Sequence, residues 1–482
     1  MNDLIDRVLD AAERGGATYA DVRIVERETE HLTVKNGALE AAVANVSAGF
    51  GVRVLVDGAW GFSSSSAREP EEAERVTREA LAIAAASRLA QRAPVQLDDT
   101  KPAVDRYVTP YREDPFAVSL DDKLKILYAA DEGMARVEGV RIRESNLSSG
   151  RERKTFASSA GARIEQEIVE AGAGIEATAV NESEMQQRSY PNSFGGQMVT
   201  GGFEAVRELA LADQAQRVAE EAVALLDAPQ CPSGEMTVVL DSTQVALQIH
   251  ESCGHPTELD RVFGTEASFA GTSFLTTDKL DTFRYGSEIV NIDADATAVG
   301  GLGTFGYDDE GVPAQNSPLV SEGRLVGYLT SRETAPMIGR QSMGSARAWS
   351  WNRIPLIRMT NINLRPGDAG SLDDLIADTR DGIFMSINKS WSIDDRRLNF
   401  QFGDQAAWLI RNGRLAEMVK NPTYTGITPE FWGSCDAICG PEAWTLWGVP
   451  NCGKGEPGQV GHVGHGAAPA RFRNVRVGVG RW

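Results

Sequence analysis

The stretch from Met236 to Pro256 reads MTVVLDSTQVALQIHESCGHP and combines two patterns. Residues 236–240 form an apolar run that is rich in β-branched residues, which is typical of a buried strand. Asp241 or Ser242 can then cap a helix in which apolar residues recur at helical spacing, at Val245, Ala246 and Ile249. The pattern predicts a strand that leads directly into a short helix.

The end of this helix carries two of the five histidines of the chain, His250 and His255, with Glu251 beside the first. Imidazole is the commonest zinc ligand, and a glutamate beside a metal can take a proton from an activated water. The familiar zinc-protease pattern, H-E-x-x-H, places both histidines on one helical face. Here the spacing is one residue longer, and positions five apart on a regular helix diverge by roughly 140°.

The two rings can therefore converge on one ion only if the helix bulges or ends between them. We expect the helix to end. Gly254 can take the left-handed turn that closes a helix, and Pro256 disfavours the helical conformation at His255. This interpretation places His250 and Glu251 on the last helical turn and His255 on the bend beyond it.

A catalytic zinc usually takes three protein ligands, so a third donor is needed. Cys452 lies in a glycine-flanked turn with Lys454, whose charge would favour the metal-binding thiolate. His462 and His465 remain alternatives on physical grounds.

The other cysteines are weaker candidates for this role. Cys253 is expected to be a small buried side chain. Cys435 and Cys439 form a C-x-x-x-C pair without a second pair at normal metal-site spacing. A thiol-redox function based on that pair is an alternative that the spacing disfavours, because it is not C-x-x-C.

The sequence resembles the TldD/PmbA family of zinc metallopeptidases, and specifically the TldD-type subunit that keeps the metal motif. Four stretches in the order typical of the family carry this resemblance: His250 to His255, Asp308-Asp309-Glu310-Gly311-Val312-Pro313, Arg358-Met359-Thr360-Asn361 and Asn451-Cys452-Gly453-Lys454. The resemblance implies zinc on His250, His255 and Cys452, with Glu251 as general base. The tryptophan-rich region 433–449 and the two histidines within residues 461–466 depart from the family pattern.

The resemblance also implies a function and partners. We expect a zinc metallopeptidase that hydrolyses short or unfolded peptides, as a homodimer or as a heterodimer with a paralogous subunit. The alternative is a non-catalytic, peptide-binding partner subunit, which the intact metal motif disfavours. An exposed strand edge would bind an extended peptide whatever its side chains. Arg347, Arg353 and Arg358 could stabilise developing negative charge, although ion pairing at the surface is the simpler expectation for each.

Composition excludes several classes of protein. The chain has 482 residues and a net charge of −20, which disfavours binding to nucleic acid. It has no run of about 18 apolar residues, so no membrane span is expected. The first residues lack the build of a signal peptide, and five cysteines do not suggest a disulfide framework. These features together predict a cytoplasmic protein.

The predicted fold class is α+β. We expect an N-terminal α+β half with antiparallel strands and long helices, followed by a β-rich C-terminal catalytic domain that carries the metal-binding helix. The predicted domains are residues 1–92, a proline-rich linker at 93–119, a central α+β domain at 120–230 and the metallopeptidase domain at 231–482. Helices are predicted at 2–14, 69–92, 121–137 and 203–226, and tight hairpin turns at Asn36-Gly37 and Asp57-Gly58.

Overall fold

Helices and sheets alternate along the chain, and the predicted α+β class is confirmed. The computed structural model describes residues 2–478; Met1 and residues 479–482, which belong to the first and last predicted domains, lie outside the described residues. The α-helices are α1 (Asn2–Arg14), α2 (Pro70–Ser87), α3 (Leu120–Ala135), α4 (Glu204–Glu208), α5 (Leu211–Asp227), α6 (Ser242–Ile249), α7 (Leu259–Val262), α8 (Leu372–Ala377) and α9 (Thr428–Gly433).

An eight-stranded sheet dominates the N-terminal half, with β3-β2-β1-β5-β6-β4 as its main order and β7 and β8 also paired to β6. Its strands are β1 (Tyr19–Lys35), β2 (Ala38–Val56), β3 (Ala59–Ser65), β4 (Val104–Val108), β5 (Val140–Ser158), β6 (Arg163–Val180), β7 (Met185–Tyr190) and β8 (Gln197–Thr200). Both predicted hairpin turns are present, because Asn36, Gly37, Asp57 and Gly58 all have positive φ and join paired antiparallel strands.

Two pairs of helices cover different parts of this sheet. Helices α1 and α2 pack on β1–β3, and α3 and α5 pack on β5–β7. Strands of both predicted N-terminal domains therefore form one sheet, and β4 lies within the proline-rich segment 93–119. The domain boundaries themselves stay a prediction.

The prediction of one continuous helix at residues 203–226 is wrong. The segment from Phe203 to Leu226 forms two helices, α4 and α5, because Ala210 adopts a left-handed conformation (φ 47°) between them. A left-handed residue cannot continue a right-handed helix. The alanine at this position gives no sign in the sequence of such a break.

The C-terminal half contains a closed ring of strands. Strand β9 pairs with β16 and β23, β23 with β19, β19 with β17, and β17 with β16. The remaining strands form edge pairings on the ring, a four-stranded sheet and two ribbons. All strands of this half are β9 (Gly234–Leu240), β10 (Ile292–Asp295), β11 (Asn316–Ser321), β12 (Arg324–Leu325), β13 (Ala346–Arg347), β14 (Leu356–Ile357), β15 (Ile362–Leu364), β16 (Asp381–Ile393), β17 (Asn399–Arg411), β18 (Arg414–Val419), β19 (Thr423–Ile427), β20 (Cys435–Ile438), β21 (Thr445–Lys454), β22 (Gln459–Ala467) and β23 (Ala470–Val477).

Buried ion pairs join the two halves. Arg53 on β2 donates to Asp21 at 2.8 Å and to Glu310 at 2.9 Å, and Lys154 on β5 contacts Asp309 at 2.7 Å. All five side chains are at most 9% exposed. The acidic stretch 308–313 is therefore a structural junction between the halves. Across residues 2–478, no helix combines the length and apolarity that a membrane crossing requires.

Candidate metal centre

The predicted strand-to-helix unit is present and positions the motif. Strand β9 ends at Leu240, and the carboxylate of Asp241 accepts the backbone N–H of Gln244 at 2.8 Å as the N-cap of α6. Every residue of α6 after Ser242 is buried. Its polar Gln244 and Gln248 are hydrogen-bonded to the Tyr424 hydroxyl on the strand ring. A short helix fixed at its cap and on its sides gives the motif a rigid base.

The motif itself is a π-helical turn. Residues His250–Gly254 widen the helix, and the backbone N–H of His255 donates to the carbonyl oxygen of His250. In a π-turn the hydrogen bond joins residues five apart, so the two histidines lie one above the other. The bulge, rather than the predicted helix end, is what brings the rings together.

Side-chain hydroxyl groups donate hydrogen bonds to backbone carbonyl oxygens along the widened turn. The Ser252 hydroxyl donates to Gln248 O, and the Thr257 hydroxyl lies 2.8 Å from Cys253 O and 3.0 Å from Gly254 O. The Tyr285 hydroxyl donates to Ser252 O at 2.9 Å. Such side-chain bonds compensate for a disturbed helical ladder.

The expected roles of Gly254 and Pro256 are wrong. Gly254 has φ −56°, which is right-handed, and His255 is helical at φ −60° and ψ −44° despite the proline that follows it. Glycine is needed for a different reason. A Cβ at position 254 would lie 2.3 Å from the sulphur of Met359, so the side chain of Met359 packs directly on the glycine.

The structure brings His250, His255 and Cys452 together. Their potential ligand atoms all lie within 4.8 Å of one another, and the Cys452 sulphur is 3.7 Å from His255 Nε2. All three residues are 4% exposed. Burial lowers the pKa of both histidines from the ordinary value, so the rings are neutral near pH 7 and offer lone pairs. Two imidazoles and a thiol of this kind fit a transition-metal ion.

His255 is held by a buried charge cluster. Its Nδ1 lies 2.9 Å from Glu258 Oε2, and this carboxylate also contacts Lys454 at 3.2 Å. Lys454 is fully buried and reaches Asp260 at 2.7 Å and Glu266 at 3.8 Å. The carboxylate requires the Nδ1 proton, which leaves His255 Nε2 free for a metal.

The ion pairs of Lys454 in the described part of the chain are with the carboxylates of Glu258, Asp260 and Glu266. Lys454 supports the second histidine through Glu258.

His250 is held by another histidine. His250 Nδ1 lies 2.7 Å from His465 Nε2, and His465 Nδ1 lies 3.3 Å from the carbonyl oxygen of Ile362. A carbonyl oxygen can only accept, so the proton of His465 belongs on Nδ1 and its Nε2 accepts from His250 Nδ1. This chain leaves His250 Nε2 free. His465 thus lies at the site as a support for His250.

Glu251 is paired with Arg397, a residue that the sequence did not single out. Arg397 Nη1 donates to Glu251 Oε2 at 2.7 Å, and Glu251 is 5% exposed. Arg397 lies in the turn between β16 and β17 with φ 63°. Its Nε is buried and has no hydrogen-bond partner in the described part of the chain. No sequence signal connects this turn with the motif.

The remaining candidates lie away from the group. His462 Nδ1 contacts Glu170 at 2.8 Å. Cys435 and Cys439 are free, and burial raises the pKa of both thiols, that of Cys439 to about 11. Burial likewise raises the pKa of Cys253 to about 12. Protonated, buried thiols do not favour redox chemistry or metal binding.

The three arginines considered for charge stabilisation bind backbone carbonyl groups. Arg347 donates to Met359 O and His462 O, Arg353 to Asn352 O, and Arg358 to Cys452 O at 2.5 Å. Arg358 therefore holds the backbone of the strand that presents Cys452.

Comparison with known proteins identifies the family. Sequence profiles of the PmbA/TldA metallopeptidases match residues 20–84 (domain 1), 113–226 (central domain) and 233–478 (C-terminal domain). A metalloprotease of Methanocaldococcus jannaschii is 31% identical over 456 residues, which cover 94% of this chain and 95% of that protein. A zinc metalloprotease TldD homolog of Saccharolobus solfataricus is 27% identical over 247 residues, which cover 51% of this chain and 52% of that protein.

The fold is also that of a solved structure. TldE from Thermococcus kodakarensis has a TM-score of 0.74 to this chain at 15% identity, and the match covers 99% of this chain and 100% of that one. Since the three profiles together match well over half of the sequence, the chain belongs to the PmbA/TldD family of metallopeptidases.

Proposed function

We propose that the protein is a zinc metallopeptidase in which His250, His255 and Cys452 bind the metal and Glu251 is the general base. The observation that supports this most is the buried group of three ligand atoms within 4.8 Å. Two imidazoles and a thiolate suit zinc, and three protein ligands leave one position open for a water molecule. The relative named a zinc metalloprotease is consistent with this choice of metal.

The proposed chemistry divides between metal and protein. A zinc ion held by His250, His255 and Cys452 would supply Lewis-acid activation of the scissile carbonyl and of the attacking water. Oε2 of Glu251 accepts from Arg397, so Oε1 is the atom that receives the proton from water and returns it to the leaving amine. His465 and Glu258 keep the ring protons of His250 and His255 on Nδ1.

The substrates that we propose are short or unfolded peptides. The four site side chains are only 4–5% exposed, so a folded domain cannot present its backbone to them. Folded chains would first have to open locally, at a cost of several kcal/mol. The test offers one polypeptide as a stable domain and as a destabilised variant. Equal cleavage rates at the same bond would contradict this proposal.

We also propose that the chain pairs with itself or with a paralogous subunit, because its fold is shared with TldE. The measurement is the mass of the purified protein in solution, alone and mixed with the paralogue. A stable monomer under both conditions would contradict the proposal.

The decisive experiment on the mechanism is Glu251→Gln. The amide keeps the shape of the side chain but cannot accept the proton, and it removes no proposed ligand. We expect full zinc content and a loss of peptide cleavage of about 10²–10⁴-fold. Zinc is measured on the purified protein and cleavage on an unfolded peptide. A variant within a few-fold of the wild-type rate would refute the role of Glu251.

A further inference from the structure

Three arginines without carboxylate partners surround one small cavity. Arg27 on β1, Arg347 on β13 and Arg358 just after β14 line a cavity of about 70 Å³ between the N-terminal sheet and the β21–β22 ribbon. Within the described part of the chain, none of the three guanidinium groups has a carboxylate oxygen within 4.0 Å. Their hydrogen bonds go to backbone carbonyl oxygens.

Charges in this position are costly to leave unpaired. Arg358 is 2% exposed, and its Nε has no hydrogen-bond partner among residues 2–478. Burial, followed by the nearby charge of Arg358, lowers the pKa of Arg347 from its ordinary value. A buried cation normally pairs with a carboxylate, because its desolvation is otherwise uncompensated.

The four carboxylates that share the cavity wall have other partners, and Asp308 accepts the backbone N–H groups of residues 310, 312 and 346. Glu170 binds His462 at 2.8 Å. Asp309 binds Lys154 at 2.7 Å and the backbone N–H of residue 348 at 2.7 Å. Glu152 is 3.3 Å from Lys154. Within residues 2–478, no carboxylate therefore accepts a hydrogen bond from the three guanidinium groups, although Asp309, Glu170 and Glu152 act on Arg347 at longer range.

The size and connections of the cavity restrict what could supply the missing charge. A volume of about 70 Å³ admits a few water molecules or a small anion, but not a large side chain. The cavity shares Arg27, Glu170, Trp349 and His462 with an adjoining cavity of about 590 Å³, which offers room for a short chain. Guanidinium groups bind carboxylates through paired, charge-assisted hydrogen bonds.

We propose that Arg27, Arg347 and Arg358 form a binding site for a carboxylate. Its two possible sources are the C-terminus of a short peptide that lies in the larger cavity and a free small carboxylic acid. The peptide source rests on the proposed peptidase function, whereas the site itself does not.

The test uses the full-length Glu251→Gln protein, so that peptides bind without being consumed. The probes are trialanine, trialanine with an amidated C-terminus, and acetate, compared at constant ionic strength by calorimetry. We expect trialanine to bind about tenfold or more tightly than its amide, and acetate to compete with it. The preference should disappear in Arg347→Gln and persist in Arg353→Gln, whose guanidinium lies outside the cavity.

Other outcomes distinguish the two sources of the carboxylate and test whether the site exists. If Arg347→Gln does not fold, Arg27→Gln, which changes the side chain at the shared wall of both cavities, should abolish the same preference. If acetate binds and Arg347→Gln removes that binding, while the two peptides bind equally, the site stands and its ligand is a free acid. Absence of acetate binding and of any carboxylate preference would overturn the proposal. A carboxylate preference in a protein without peptidase activity would leave the site standing and remove only the peptide-cleavage proposal.

Discussion

The two histidines of the metal centre are supported by chemically different partners. His255 donates to the carboxylate of Glu258, whereas His250 donates to the neutral ring of His465. A carboxylate partner raises the basicity of a ligating imidazole more than a neutral one does. The site therefore combines one strongly and one weakly assisted histidine with a cysteine.

For single residues of the metal centre, we predict that different substitutions lower zinc binding by different amounts. Cys452→Ala removes a proposed ligand and should lower zinc occupancy strongly. His465→Ala removes only the partner of His250, so zinc affinity should fall by about 10–100-fold while some binding persists. Zinc affinity is measured by competition with a chelator.

Cys439→Ala is the control for the loss of a buried thiol, because Cys439 lies outside the ligand group and should keep wild-type affinity. Full zinc retention by Cys452→Ala, with loss in His465→Ala, would transfer the ligand role to His465.

Some residues that support the metal centre could be predicted from the sequence, and others could not. Glu258 is three positions after His255, on the same side of a helical turn, and could have been found from spacing alone. His465 was a candidate as a ligand, and its contact with His250 was not foreseen. Arg397 lies 146 positions from Glu251 and meets it through strand pairing, which no local pattern reports.

Among the elements, the π-turn has the largest consequence for the site. The five-residue spacing indicated either a bulge or a helix end, and Gly254 with Pro256 favoured the end. The bulge forms because Ser252 and Thr257 can bond free carbonyl oxygens and Met359 packs on Gly254. Met359 comes from a distant segment, so the choice depends on tertiary packing.

We predict that Thr257→Val weakens both the fold and the metal site. Valine has a similar shape but cannot bond Cys253 O and Gly254 O, which are buried. An unsatisfied buried polar group costs about 1–3 kcal/mol, and His255 lies in the same turn. The melting temperature of the zinc-free protein and the zinc affinity should both fall.

Thr257→Ser keeps the hydroxyl and should stay near wild type in both measurements. If Thr257→Val retained the melting temperature and zinc affinity of Thr257→Ser, the hydroxyl would not be what stabilises the turn.

In the whole molecule, buried charges are part of the junction between the halves. The sequence predicted the α+β class and the hairpins, because periodicity and turn residues are local. It did not predict that β1 of the first segment pairs with β5 of the second over 15 residue pairs, from Asp21 and Ser158 to Lys35 and Glu144. Such pairing leaves no local signature.

The last prediction concerns this junction. Arg53→Met keeps a long side chain against Trp60 but removes the cation between Asp21 and Glu310. Two buried carboxylates from opposite halves then lose their shared cation, although Glu310 still accepts the backbone N–H of Arg332. Breaking a buried pair in this way costs about 3–5 kcal/mol. We expect a clearly lower midpoint of urea unfolding. The control is Arg88→Met, because Arg88 and Asp57 form an ion pair whose side chains are 59% and 61% exposed. Such a surface pair contributes about 0–1 kcal/mol. Equal effects of the two substitutions would show that the junction does not depend on the charge of Arg53.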